Sequence, residues 1–122
     1  MNHFKTSVAI GFTAFGLGCA GATLPTDQVA SAEASVRAAK ELGAPSVPRA
    51  ELHLRLAQDE LKQARLTADD GDGDRGKMLL ERARADAELA IALARQNKAE
   101  RELDARTKSE VTVTDPAVRA AR

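Results

Sequence analysis

Tryptophan and tyrosine are absent from these 122 residues, and the three phenylalanines, Phe4, Phe12 and Phe15, all precede Gly16. Everything downstream must pack on alanine, leucine and valine, and the aromatic platforms on which single-stranded nucleic acids stack are missing. A surplus of either charge is missing too, since 18 Lys and Arg balance 18 Asp and Glu. Such a chain presents no concentrated basic face to a polyanion, so no nucleic-acid partner is expected. Cys19 is the only cysteine, which excludes an internal disulfide and a cysteine-based metal set.

Long hydrophobic runs are lacking as well. The apolar stretch at residues 8–17 falls short of the ~20 residues a membrane-spanning helix needs. Lys5 before it and Gly18-Cys19-Ala20-Gly21 after it supply the charged start and small residues of an export signal. The segment looks like a bacterial lipoprotein signal, in which Cys19 is lipidated and becomes the first mature residue, although Gly16 stands where such signals favour Leu. Ala20-Gly21-Ala22 offers a second cleavage site for plain secretion, which would discard Cys19. The preferred division is a signal at 1–18, a small-residue tether at 19–25, a helical domain at 26–107 and a disordered tail at 108–122.

What remains is rich in Ala, Leu, Glu, Lys and Arg, the composition of long helices and coiled coils. Val29, Ala32, Val36 and Ala39 alternate by three and four residues, a stripe on one helix face that ends at Gly43, with Thr26 as its N-cap. Pro48 suits the first turn of a second helix, whose seam is Ala50, Leu54, Ala57, Leu61, Ala64 and Ala68. Leu52, Leu56 and Leu66 are expected to widen that seam. Asp69-Asp70-Gly71-Asp72-Gly73-Asp74 breaks the pattern as a turn. A third helix is expected from about Arg75 to about Arg106, with Leu80, Ala83, Ala87, Ala90 and Ala94 as its seam. The expected fold is all-α: an antiparallel helical hairpin of two long helices with a shorter leading helix, packed in coiled-coil fashion. So thin a core predicts self-association or docking on a partner.

The turn carries three patterns that look like chemistry. Gly71-Asp72-Gly73-Asp74-Arg75-Gly76 fits the dinucleotide-binding G-x-G-x-x-G, but a helix precedes it where a strand is required. The phosphate-loop pattern Gly71-x4-Gly76-Lys77 fails at Met78, where a magnesium-binding hydroxyl belongs. Asp70, Asp72, Asp74 and Glu81 occupy positions one, three, five and twelve of a calcium loop, with Arg75 in the place of its required glycine. These four are the metal candidates of the sequence, set against a plain solvated turn in which Asp72 or Asp74 caps the third helix. His53 reads as a helix-surface residue, and Ser31, Ser35, Ser46 and Ser109 have no histidine at a recognisable spacing. No enzyme activity, cofactor or small-molecule substrate is expected.

The order Gly-Ala-Pro at residues 43–45, then Ala57, Leu61 and Ala64, the Gly-Asp turn, and Ala-Asp-Ala-Glu-Leu-Ala at residues 85–90 resembles one envelope family. It is the lipoprotein group catalogued as domain of unknown function 4398, and the likeness covers residues 43–95. Val47 and Gly73 depart from it where many members carry tyrosine. The resemblance implies an exported lipoprotein living near the outer membrane, since the same domain occurs ahead of OmpA-like peptidoglycan-binding domains. The functional expectation is therefore a helical module anchored by lipid on Cys19 at the periplasmic face of the outer membrane, with a structural or protein-interaction role. A divalent-cation-responsive hairpin and a secreted, non-lipidated protein are the alternatives. Leu54, Leu61, Leu80 and Leu89 are the leucines expected to carry packing, within the chain or against a partner.

Overall fold

The computed structural model describes residues 23–120, without the side chains of 112–119. Its elements are α1 (Thr26–Glu41), a 3-10 turn (Ala44–Ser46), α2 (Pro48–Asp69) and α3 (Gly73–Ala120). No strand occurs among the described residues, and the signal segment with Cys19 lies outside them.

The helix ends follow from local chemistry. Pro25, with φ of −60°, precedes the first helical residue and its carbonyl accepts the Val29 N–H at 3.1 Å. Thr26 is therefore already inside the helix and does not cap it. α1 stops at Gly43, whose φ of 85° is open to glycine at little cost. Val47 is then extended, as the residue before a proline prefers, and Pro48 takes the first helical position, where a missing N–H costs nothing. α2 closes with a left-handed Gly71: its N–H reaches the Ala68 carbonyl and the Asp72 N–H reaches the Thr67 carbonyl, both at 3.0 Å. That is the Schellman arrangement, and it satisfies carbonyls the helix end leaves open. Asp72 serves the next helix at once, its Oδ1 accepting the Arg75 N–H at 3.1 Å.

The chain runs up, down and up, with α2 packed most closely on α3 and α1 lying more on α3 than on α2. Two clusters fill the interior. One joins Val36 and Ala39 of α1 to Leu54 and Ala57 of α2 and to Ala87, Ala90 and Ala94 of α3. The other joins Ala32, Leu61, Ala64, Leu80 and Ala83, with Leu24 and Val29 against it. The seam residues Leu54, Ala57, Leu61, Ala64, Leu80, Ala83, Ala87 and Ala90 are all buried.

Leu52, Leu56 and Leu66 do not widen the seam. They are 56%, 41% and 54% exposed, because at 100° per residue they fall well round the helix from Ala57 and Ala64. Leu89 likewise faces out, at 42% exposure, so three of the four packing leucines are internal and the fourth is not.

α3 also outruns expectation at both ends. It begins at Gly73, and it continues to Ala120 where a disordered tail was expected. Ala94 is the last buried residue of α3 among those whose side chains are described, and α3 still faces the α1–α2 connection as far as Ala105, so roughly 22 Å of helix at ~1.5 Å per residue projects past the bundle. Opposite charges spaced four residues apart, such as Glu102 with Arg106, suit a helix without an apolar face. Gln96 bonds Glu100 at 2.9 Å in the same manner. Because residues from Lys98 to Val111 are exposed, deleting everything after Arg106 is expected to change the melting temperature by less than about 2 °C. Helical ellipticity should fall while the transition stays put; a drop of 5 °C or more would show that the projection supports the bundle.

Candidate functional site

The acidic turn is consumed by structure. Asp72 caps α3 and the Asp74 carboxylate lies 3.3 Å from the Lys77 ammonium. Helix α3 has already begun at Gly73, so Glu81 is separated from the aspartates by helical rise rather than by a wrapping loop. Among the described residues no three His, Cys, Asp or Glu side chains gather into a group able to hold a metal ion.

The glycines have packing duties. Gly71 supplies the left-handed turn, Gly73 is buried at the helix start, and Gly76 is buried against α2. A Cβ on Gly76 would stand 2.9 Å from the Ala64 carbonyl oxygen and 3.0 Å from a Leu24 methyl. The G-x-G-x-x-G spacing thus reflects a helix-to-helix reversal at close quarters.

One polar row does cross between helices, on the flank of the α2–α3 seam. His53 Nδ1 lies 2.7 Å from Asp86 Oδ1, with both side chains about one quarter exposed. Two turns further along α2, Glu60 Oε1 lies 3.4 Å from Arg82 Nε, and only 14% of the Glu60 side chain reaches solvent. Its other oxygen, Oε2, is buried without a hydrogen-bond donor. Burial pushes the Glu60 carboxyl above its ordinary range; the like charge of Asp86 adds to this, Arg82 opposes it, and the bond that a protonated Glu60 can donate to Asp86 adds to it again.

His53 is therefore a half-buried cross-link, in contrast to the surface residue expected. No serine hydroxyl bonds its ring among the described residues, so the His–Asp pair does not extend to a nucleophile. The sequence signal for this row is faint: His53 and Glu60 stand one heptad apart beside the α2 seam, and Arg82 and Asp86 stand one turn apart on α3.

Concave surface is found where α3 leaves the bundle. A groove of about 480 Å³ lies between the α1–α2 connection, at Leu42, Gly43 and Val47, and Asn97, Arg101 and Glu102 of α3. A second hollow of about 250 Å³ lies nearby, beside Pro48, Leu93 and Gln96. Both are open, and neither gathers the His–Asp–Glu row. No described helix is long and apolar enough to cross a membrane.

These features define a three-helix, alanine-seamed hairpin with one overlong helix. The sequence pattern of a family described as Domain of unknown function (DUF4398) matches residues 27–106, which take in α1, α2 and α3 as far as Arg106, and the chain belongs to that family. No curated protein and no solved structure matches the chain.

Proposed function

We propose that this is an exported helical module of the cell envelope, anchored by lipid on Cys19 and working through protein contact or spacing rather than catalysis. The projection of α3 beyond the bundle carries the reading. A helix exposed from Lys98 to Val111, with Leu103 at 61% exposure, suits contact with something outside the bundle. Leu52, Leu56 and Leu66 on the outer face of α2 add apolar surface to the same end. The core is built chiefly of alanine, each methyl contributing roughly 0.8 kcal/mol, and a bundle this light gains from association. Partners in this reading are the membrane, through the lipid, and a second copy or another envelope protein.

Two measurements test it. Mass spectrometry of the protein from cell membranes is expected to find a diacylglyceryl adduct on an N-terminal Cys19. A mature N-terminus lacking Cys19 turns the reading to plain secretion, and an intact Met1 overturns export. A photo-crosslinking residue at position 103 is expected to yield a discrete adduct in cells, and the same residue at the exposed position 37 of α1 is the comparison. Equal, diffuse labelling from both sites would remove the contact role.

A further inference from the structure

We propose that the row His53, Asp86, Glu60 and Arg82 is an acid-strengthened clasp that ties α2 to α3 more firmly in mildly acidic medium than at neutral or alkaline pH.

The geometry makes the case. Four ionisable side chains from two helices sit in one row along the interface that holds most of the packing in the fold. Arg82 balances one carboxylate. His53 touches the other, at 2.7 Å from Asp86. Between them Glu60 keeps a buried oxygen with no donor. Two carboxylates offer each other only lone pairs, so while both are ionised Glu60 and Asp86 repel across the seam. A proton on Glu60 turns the buried acceptor into a donor, gives Asp86 a bond in place of a repulsion, and removes an unsatisfied buried charge. The charged and titratable groups facing Glu60 are Asp86 and Arg82 of α3, with His53 reaching it through Asp86. The Arg65 and Glu33 pair that joins α1 to α2 is exposed and lies apart from this row.

The direction of the pH effect follows from linkage. The Glu60 carboxyl is raised in the folded chain, so it holds its proton more tightly there than in the unfolded chain. Its contribution to stability is complete below the unfolded value and is lost as pH rises through the folded one. Ordinary carboxylate pairs work in the opposite sense, which makes the sign diagnostic.

Thermal melts of the full chain at pH 5.5 and pH 8.0, in matched ionic strength, test the clasp. The melting temperature is expected to be higher at pH 5.5 than at pH 8.0, the direction that a raised Glu60 carboxyl dictates. Glu60→Gln, which keeps a neutral donor at every pH, should lose at least half of that difference and melt at pH 8.0 near the acidic wild-type value. His53→Gln should retain the Glu60-dependent part. Where either variant fails to fold, the titration of the Glu60 side-chain carboxyl ¹³C in the wild-type chain decides, with a midpoint expected above that of a free glutamate. The clasp is overturned by a wild-type melting temperature that falls on acidification, by a Glu60→Gln variant with the full pH difference, or by a ¹³C midpoint at or below the free value.

Discussion

Leu80→Ala is expected to cost about 3–4 kcal/mol and to lower the melting temperature by roughly 15 °C or more. Leu80 is 1% exposed and is the largest side chain fully enclosed in the bundle. Its neighbours Ala32, Ala64 and Ala83 have no rotamers with which to swing into the space it leaves. The loss therefore combines transferred apolar area with a cavity that only Leu61 and the partly buried Leu24, Val29 and Leu79 can shift to fill, which places the truncation in the middle of the leucine range. Leu52→Ala is the matched comparison: with 56% of the residue already in solvent, its effect should stay within about 0.5 kcal/mol. Denaturant melts of the two variants measure the contrast directly. Equal losses would mean that α2 and α3 meet through a different face.

Gly76→Ala is the second large effect, and its sign is the informative part. In an exposed helix interior this change usually stabilises by up to ~1 kcal/mol, because alanine restricts the unfolded chain and favours the helix. Here the new methyl would lie 2.9 Å from the Ala64 carbonyl oxygen, 3.0 Å from Leu24 Cδ2 and 3.3 Å from Ala68 Cβ. Leu24 can turn away, but a backbone oxygen moves only if α2 moves. Overpacking of this kind costs roughly 1–3 kcal/mol, so a net loss of about 1–2 kcal/mol is expected, and Gly76→Val should lose more. Calorimetric melts showing Gly76→Ala more stable than wild type would disprove the close approach.

The fold was legible in this sequence because its seams use a single rule. Ala50, Leu54, Ala57, Leu61, Ala64 and Ala68 alternate by four and three, the spacing that keeps one stripe facing a partner helix, and glycine and proline mark the reversals at Gly43, Pro48 and Gly71. Leucine misled where alanine did not. Side-chain size suggested that Leu52, Leu56 and Leu66 belong inside, yet the narrow stripe admits only residues in phase with it, and on α2 that phase is held by four alanines with Leu54 and Leu61. The length of α3 was hidden for a different reason. An amphipathic criterion looks for an apolar face, whereas residues beyond Asn97 sustain a helix through charges one turn apart and need no face at all. The row around Glu60 was hidden by distance, for His53 and Asp86 are 33 positions apart and neither helix alone suggests that they meet. Cys19 lies outside the described residues, and the lipidation proposed for it rests on sequence.

The length of α3 makes the molecule a pointer. Because one helix serves both the bundle and the projection, its ladder missing only the N–H that Pro116 lacks, the bundle cannot tilt without swinging the far tip. With roughly 22 Å of free shaft at ~1.5 Å per residue, a lean of about 10° at the base sweeps the end through ~4 Å. Small reorientations of the bundle would thereby become displacements about as wide as a side chain at whatever surface the shaft meets.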